Sequence, residues 1–208
     1  NSKKFLSNIK LASLDINPKL PKSSEELDII IKSVFEGLDF KDYYLKELHE
    51  LVMLMDETYY NPFQTWIDVG WALHNTNDLL FWTWIKFSSK SDKFSWNSIP
   101  ELILKWNNEM HNSGKSWRSI HYWCKSDFPD KYKEVHDTTI QKAVYATLIS
   151  NGADTDLAIF VKFLYKGEYS CSSISHNKWY RFNKHRWLEN DCGVSLRRLL
   201  SSRVARYF

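Results

Sequence analysis

Eight tryptophans lie between Trp66 and Trp123, and they recur at helical spacings beside other apolar residues. In "NPFQTWIDVGWALHN", Trp66, Val69 or Gly70, and Leu73 stand three and four apart, which places them on one face of a helix. Trp82 and Trp84 follow in "DLLFWTWIKFSS". Ile99, Leu102, Ile103, Trp106 and Met110 then share a stripe, as do Trp117, Ile120 and Cys124. Indole rings at one or two per short helix read as packing staples of a small bundle rather than as a ligand cage. Gly70 in mid-helix costs about 1 kcal/mol against alanine, so the spacing predicts a ring or a neighbouring helix passing close to it.

Composition sharpens this. The chain has 208 residues, 43% of them hydrophobic and 25% charged, as in an ordinary globular protein, but 16% are aromatic and ten are Trp. Its length suits one large domain or two small ones. No apolar run is long enough to span a bilayer, and "NSKKFLSNIK" lacks the apolar core of a signal peptide. Cys124, Cys171 and Cys192 are odd in number and far apart, which suggests reduced thiols rather than a disulfide framework. With no initiating Met and a last stretch, "SSRVARYF", that reads as helix, the sequence is expected to be part of a longer protein.

The expected fold is mainly α: a small Trp-rich helical bundle, then an α+β module with a short β-hairpin and a closing helix. Residues 1–22, with Pro18 and Pro21, read as a linker, 23–136 as the bundle and 137–208 as the second module. Ser23 or Ser24 caps the first helix, with Gly37 near its end. Leu45, Leu48, Val52 and Met55 stripe the second, and Asn61-Pro62 opens the third with proline at the first helical position. "TTIQKAVYATLISNGA" ends at Asn151-Gly152. "DTDLAIFVKFLYKGEY" starts at Asp154 and faces Leu157, Phe160 or Val161, and Leu164 inward. "KWYRFNKHRWLEN" alternates and turns at Asn183-Lys184 as a hairpin. "GVSLRRLLSSRVARYF" closes as a helix, with Ser195 as cap and Leu196, Leu199, Leu200 and Val204 inside.

Catalytic motifs are not found, and neither catalytic nor metal residues are assigned. "HNSGKSW" imitates a phosphate loop, but the motif needs glycine five positions before Gly114, where Glu109 stands, and a strand before it. Cys171, His176, His185 and Cys192 are zinc-type ligands at gaps that match no common finger. His121 and Cys124 lack further ligands nearby. Asp154 and Asp156 suit a helix N-terminus better than a metal pair.

Charge is more informative. The net charge is only +3. From Lys178 onward eight basic residues face two acids, leaving 20 basic against 23 acidic in the rest. Lys178, Arg181, Lys184, Arg186, Arg197, Arg198 and Arg203 are therefore the candidate nucleic-acid contacts, with Trp179 or Trp187 available to stack on a base. The competing reading is a helical protein-interaction adaptor with no nucleic-acid role, which an exposed tryptophan patch would favour.

"WIDVGWALHN", "LLFWTWIKFSSKSDKF" and "SWRSIHYWCKSDFPDKY" together resemble the primase C-terminal domain of the second type. The matching positions are Trp66, Val69 to Asn75, Trp82, Trp84, Ser88, Phe94, Trp106, His121 to Lys125, and Tyr132. Further on, "DTDLAIFVKFLYKGEY" and "KWYRFNKHRWLENDCGVSLRRLL" resemble the domain that precedes the motor in poxvirus-type primase-helicases of large double-stranded DNA viruses. The resemblance implies an archaeo-eukaryotic-type primase upstream and a hexameric superfamily III AAA+ DNA helicase downstream. It implies ATP and Mg for that parent protein and no cofactor within these residues. Single-stranded or forked DNA, a hexamer of the parent and other replication proteins are the implied partners, at viral replication sites in the host cytoplasm. Neither the primase acid motifs nor the Walker motifs occur here, so the segment itself reads as a connector and collar.

Overall fold

A computed structural model describes residues 20–38, 42–110, 114–149, 154–165 and 167–208. Most of the expected linker and the Asn151-Gly152 helix end fall outside them. The chain divides into two compact units, Asn1–His136 and Asp137–Phe208.

The first unit is helical. Helix α1 (Ser24–Glu36) opens on Ser23, whose hydroxyl accepts from the Glu26 amide, and ends at Gly37. Helices α2 (Tyr44–Leu54), α3 (Glu57–Tyr60) and α4 (Phe63–His74) follow. Pro62 is the cap of α4 rather than its first residue, one position from the expectation. Its extended backbone suits the capping position as well as its missing N–H would suit the next. A 3-10 turn, Asp78–Leu80, leads into α5 (Phe81–Ser88), and another, Trp96–Ser98, into α6 (Ile99–Asn108). Helix α7 (Trp117–Asp127) begins with a capping box between Ser116 and Ser119.

These helices enclose one core. Helix α5 packs against α1, α2, α4 and α6, and α7 packs against α2 and α4. Leu45, Leu48, Val52 and Met55 are fully buried, as are Trp84 and, nearly, Trp106. Trp66 stacks on Trp84 with centroids 4.9 Å apart, and Trp84 tilts onto Trp106 at 5.6 Å. The other five bundle tryptophans, Trp71, Trp82, Trp96, Trp117 and Trp123, are half-buried against the same core. At Gly70 a Cβ would lie 2.8 Å from Trp84 Nε1 and 3.0 Å from Met110 Cε. The close approach predicted for this glycine is therefore present.

Helix α8 (Pro129–Ile149) starts at the proline expected only to stop its predecessor, and it continues through "TTIQKAVYATLI". In the second unit α9 (Asp154–Leu164) buries Phe160, while Leu157, Val161 and Leu164 are half-buried. The hairpin is extended by one strand: β1 (Tyr169–Ser173), β2 (Lys178–Asn183) and β3 (Arg186–Asn190) form an antiparallel sheet in that order. After a 3-10 turn, Asp191–Gly193, comes α10 (Val194–Ser202). Its cap is Gly193, not Ser195. The Asn190 side chain accepts from the Ser195 amide instead, at 3.3 Å, supplying the oxygen a cap would give. Among the described residues no helix is long and apolar enough to cross a membrane.

Candidate nucleic-acid interface

The sheet of the second unit has two unlike faces, because side chains alternate along each strand. Register places Tyr169 opposite Arg181, Cys171 opposite Trp179, and Asn183 opposite Arg186. On this face the Tyr169 and Ser195 hydroxyls lie 3.0 Å apart, which ties β1 to the start of α10. Trp179 lies over Gly193, where a Cβ would come 3.4 Å from the ring, and its Nε1 donates to Asn177 Oδ1. Cys192 and Gly193, both at positive φ, make the sharp bend that permits this. The Arg181 guanidinium sits 5.6 Å from the centre of the Tyr169 ring.

On the opposite face stand Ser170, Tyr180, Phe182, Trp187 and Glu189. Phe182 and Trp187 are cross-strand partners with ring centroids 5.2 Å apart. Lys178 reaches over Tyr180, its Nζ 5.8 Å from the ring centre.

All seven candidate cations are exposed. Lys178 belongs to the Phe182 face, Arg181 and Arg186 to the Tyr169 face, and Lys184 to the β2–β3 turn at positive φ. Arg197 and Arg198 are on α10, and Arg203 caps its end. The cluster in sequence is thus spread over two sheet faces, a turn and a helix. Trp179 is taken up by packing, while Trp187 is open to solvent. Phe182, its ring partner, escaped the sequence reading, although strand alternation could have paired the two.

The other candidates have structural surroundings. Lys115, of the "GKS" sequence, pairs with Asp68 at 3.0 Å and lies over the Trp71 ring. Asp154 and Asp156 sit within the first turn of α9. His176 bonds with Ser173 and Ser175 in the β1–β2 turn, while His185 and Cys192 are exposed. Among the described residues no group of three or more His, Cys, Asp or Glu is placed to hold a metal ion. Cys124 is buried, its Sγ donates to Leu51 O, and burial pushes its thiol up to about 12.

A buried polar cluster in the bundle went unread as well. Glu47, 3% exposed, lies 2.7 Å from His136 Nδ1, and His121 stands at 4.0 Å from its other oxygen. Tyr132 hydroxyl is 3.1 Å from His121 Nδ1, and burial beside Glu47 pushes that phenol up to about 12. Residues separated by 89 positions meet here, and no local pattern announces that.

Residues 48–124 match the family "Primase C terminal 2 (PriCT-2)". The chain is 35% identical over 162 residues to "Putative helicase L207/L206" of Acanthamoeba polyphaga mimivirus, covering 76% of this chain and 16% of that protein. It is 25% identical over 168 residues to "Putative helicase 022R" of Frog virus 3 (isolate Goorha), covering 78% and 16%. A third similarity, 33% over 95 residues, is to "Putative primase C962R" of African swine fever virus, covering 42% and 10%. The chain thus spans about a sixth of the length of the relatives it matches most fully. Residues 48–124, the centre of the indole-stacked bundle, are accordingly matched as a primase C-terminal domain of the second type, in a chain similar to helicase- and primase-named proteins of large double-stranded DNA viruses.

Proposed function

We propose that this chain is the connecting and collar region of a viral replication primase-helicase. In this reading the bundle is a rigid spacer between an upstream primase and a downstream hexameric AAA+ helicase that uses ATP and Mg in the host cytoplasm. The basic second unit guides single-stranded or forked DNA. One observation carries the spacer role: the family-matched residues Gly70, Trp84, Ser88, Trp106 and Cys124 are packing positions. Trp66 Nε1 donates to Ser88 Oγ at 2.8 Å, tying α4 to α5, and Ser88 Oγ donates to Trp84 O within α5. The adaptor alternative asks for a contiguous exposed tryptophan patch, and none of the eight bundle indoles is exposed.

The complete gene tests the placement: a primase encoded before Asn1 and an AAA+ motor after Phe208 are expected, and a reading frame with neither overturns it. Salt tests the DNA role. Binding to a single strand should weaken steeply as salt rises, and replacing Arg197, Arg198 and Arg203 with Gln should lower the slope of log affinity against log salt by about two. An affinity indifferent to salt and to these changes refutes it.

A further inference from the structure

We infer that the open face of the three-stranded sheet is a stacking platform for unpaired nucleobases, formed by Phe182 and Trp187 beside Tyr180. This rests on the nucleic-acid role above and deepens it, because such a platform selects single strands over duplex.

The two faces of the sheet are used differently. Tyr169 and Trp179 are spent on α10 and the Gly193 bend. The opposite face carries the Phe182–Trp187 pair, whose rings are tilted by 59° and whose residues remain 41% and 44% exposed. Ser170 and Ser173, the β1 residues paired with Tyr180 and Lys178 of that face, are too small to cover them. Two large rings side by side in water form a surface that calls for an occupant.

Charge identifies that occupant. Of the four cations between residues 178 and 190, Lys178 shares the ring face with the one carboxylate, Glu189, Lys184 stands at the turn two residues beyond Phe182, and Arg181 and Arg186 belong to the other face of the same thin sheet. Flat apolar rings edged by cations suit a ligand whose own flat rings are joined by phosphates. Duplex DNA hides its base faces in the stack, whereas a single strand offers them. Trp187 therefore faces the strand, and Trp179 holds the fold.

The test compares the chain with F182L/W187L, which keeps apolar cover on the sheet but removes the π faces, and with W187F, which keeps one. Binding is measured to a ~15-nucleotide oligothymidylate and to a duplex of equal length. We expect the double variant to lose about tenfold in single-strand affinity, with an unchanged salt slope and unchanged duplex binding, and W187F to stay within about threefold. An oligonucleotide carrying 5-iododeoxyuridine should crosslink the unaltered chain at Trp187 or Phe182, a readout independent of how the variants fold. Unchanged single-strand affinity in the double variant, or crosslinks confined to other residues, overturns the platform while leaving the arginine-dependent binding standing. Failure of the chain to bind either oligonucleotide overturns both. Loss of self-association with strand affinity intact, read by sedimentation, assigns the face to a second copy and also overturns the platform.

Discussion

A methyl group at Gly70 would meet Trp84 Nε1 at 2.8 Å, and that indole is wholly buried between Trp66 and Trp106 with no room to retreat. Two effects oppose each other in Gly70→Ala. Helix propensity favours alanine by about 1 kcal/mol, while overpacking costs roughly 1–3 kcal/mol. The clash is with a core ring, so packing should win, and urea unfolding should show a net loss of about 1 kcal/mol. His49 gives a second prediction. Its Nδ1 pairs with the buried Thr83 hydroxyl at 3.0 Å, and burial, with the Asp28–Lys86 ion pair adding opposed smaller effects, lowers it to about 4. The folded state therefore resists a proton that the unfolded chain accepts near pH 6.5. Stability is intact above that pH and falls as pH drops toward 4. Between pH 7 and 4.5 the native chain should lose roughly 2–3 kcal/mol more than His49→Asn, which keeps a polar partner for Thr83 but does not titrate. Equal losses in the two proteins would contradict this. Gly70 was legible in sequence because a mid-helix glycine violates propensity; His49 was not, since nothing local marks which histidine a fold will enclose.

Elements show where periodicity informs and where it fails. The stripes of α2, α6 and α7 were readable because their apolar residues repeat every three or four positions. Strand β1, "YSCSS", was not: its alternation rests on only two larger residues, Tyr169 and Cys171, among three serines, and it is a strand because β2 offers it an edge to pair with. Helix α8 was half-read because Pro129 signals a stop to the residue before it and a start to its own helix. One helix end also depends on a distant side chain. Lys90 Nζ donates to Met53 O at 3.0 Å and Met55 O at 2.6 Å, at the C-terminal end of α2, and burial lowers its affinity for a proton. Lys90→Met keeps the aliphatic stem but leaves those carbonyls without their cation. A destabilisation of about 1–2 kcal/mol is expected, seen as faster amide exchange at the end of α2. Unaltered exchange there would show that water caps the helix equally well.

For the whole chain, the two units divide their labour by composition. Among the described residues, the first unit buries nearly all of the large core side chains and Phe160 is the largest fully buried one in the second, where the seven candidate cations lie on the surface. Which residues carry positive charge at the C-terminal end was plain from the sequence. Which of them share a surface was not, since sidedness follows from register and from the bend at Cys192–Gly193. The contrast between Cys124, sealed under Leu51, and the exposed Cys192 has a practical corollary. Thiolates, not thiols, attack maleimides, so a dye offered briefly to the native chain should couple at Cys192 before Cys124, as peptide mass mapping would show. A prompt adduct on Cys124 would mean that the bundle opens on the labelling timescale. With the expected pattern, an unmutated chain acquires a fluorescent reporter at the bend that opens α10.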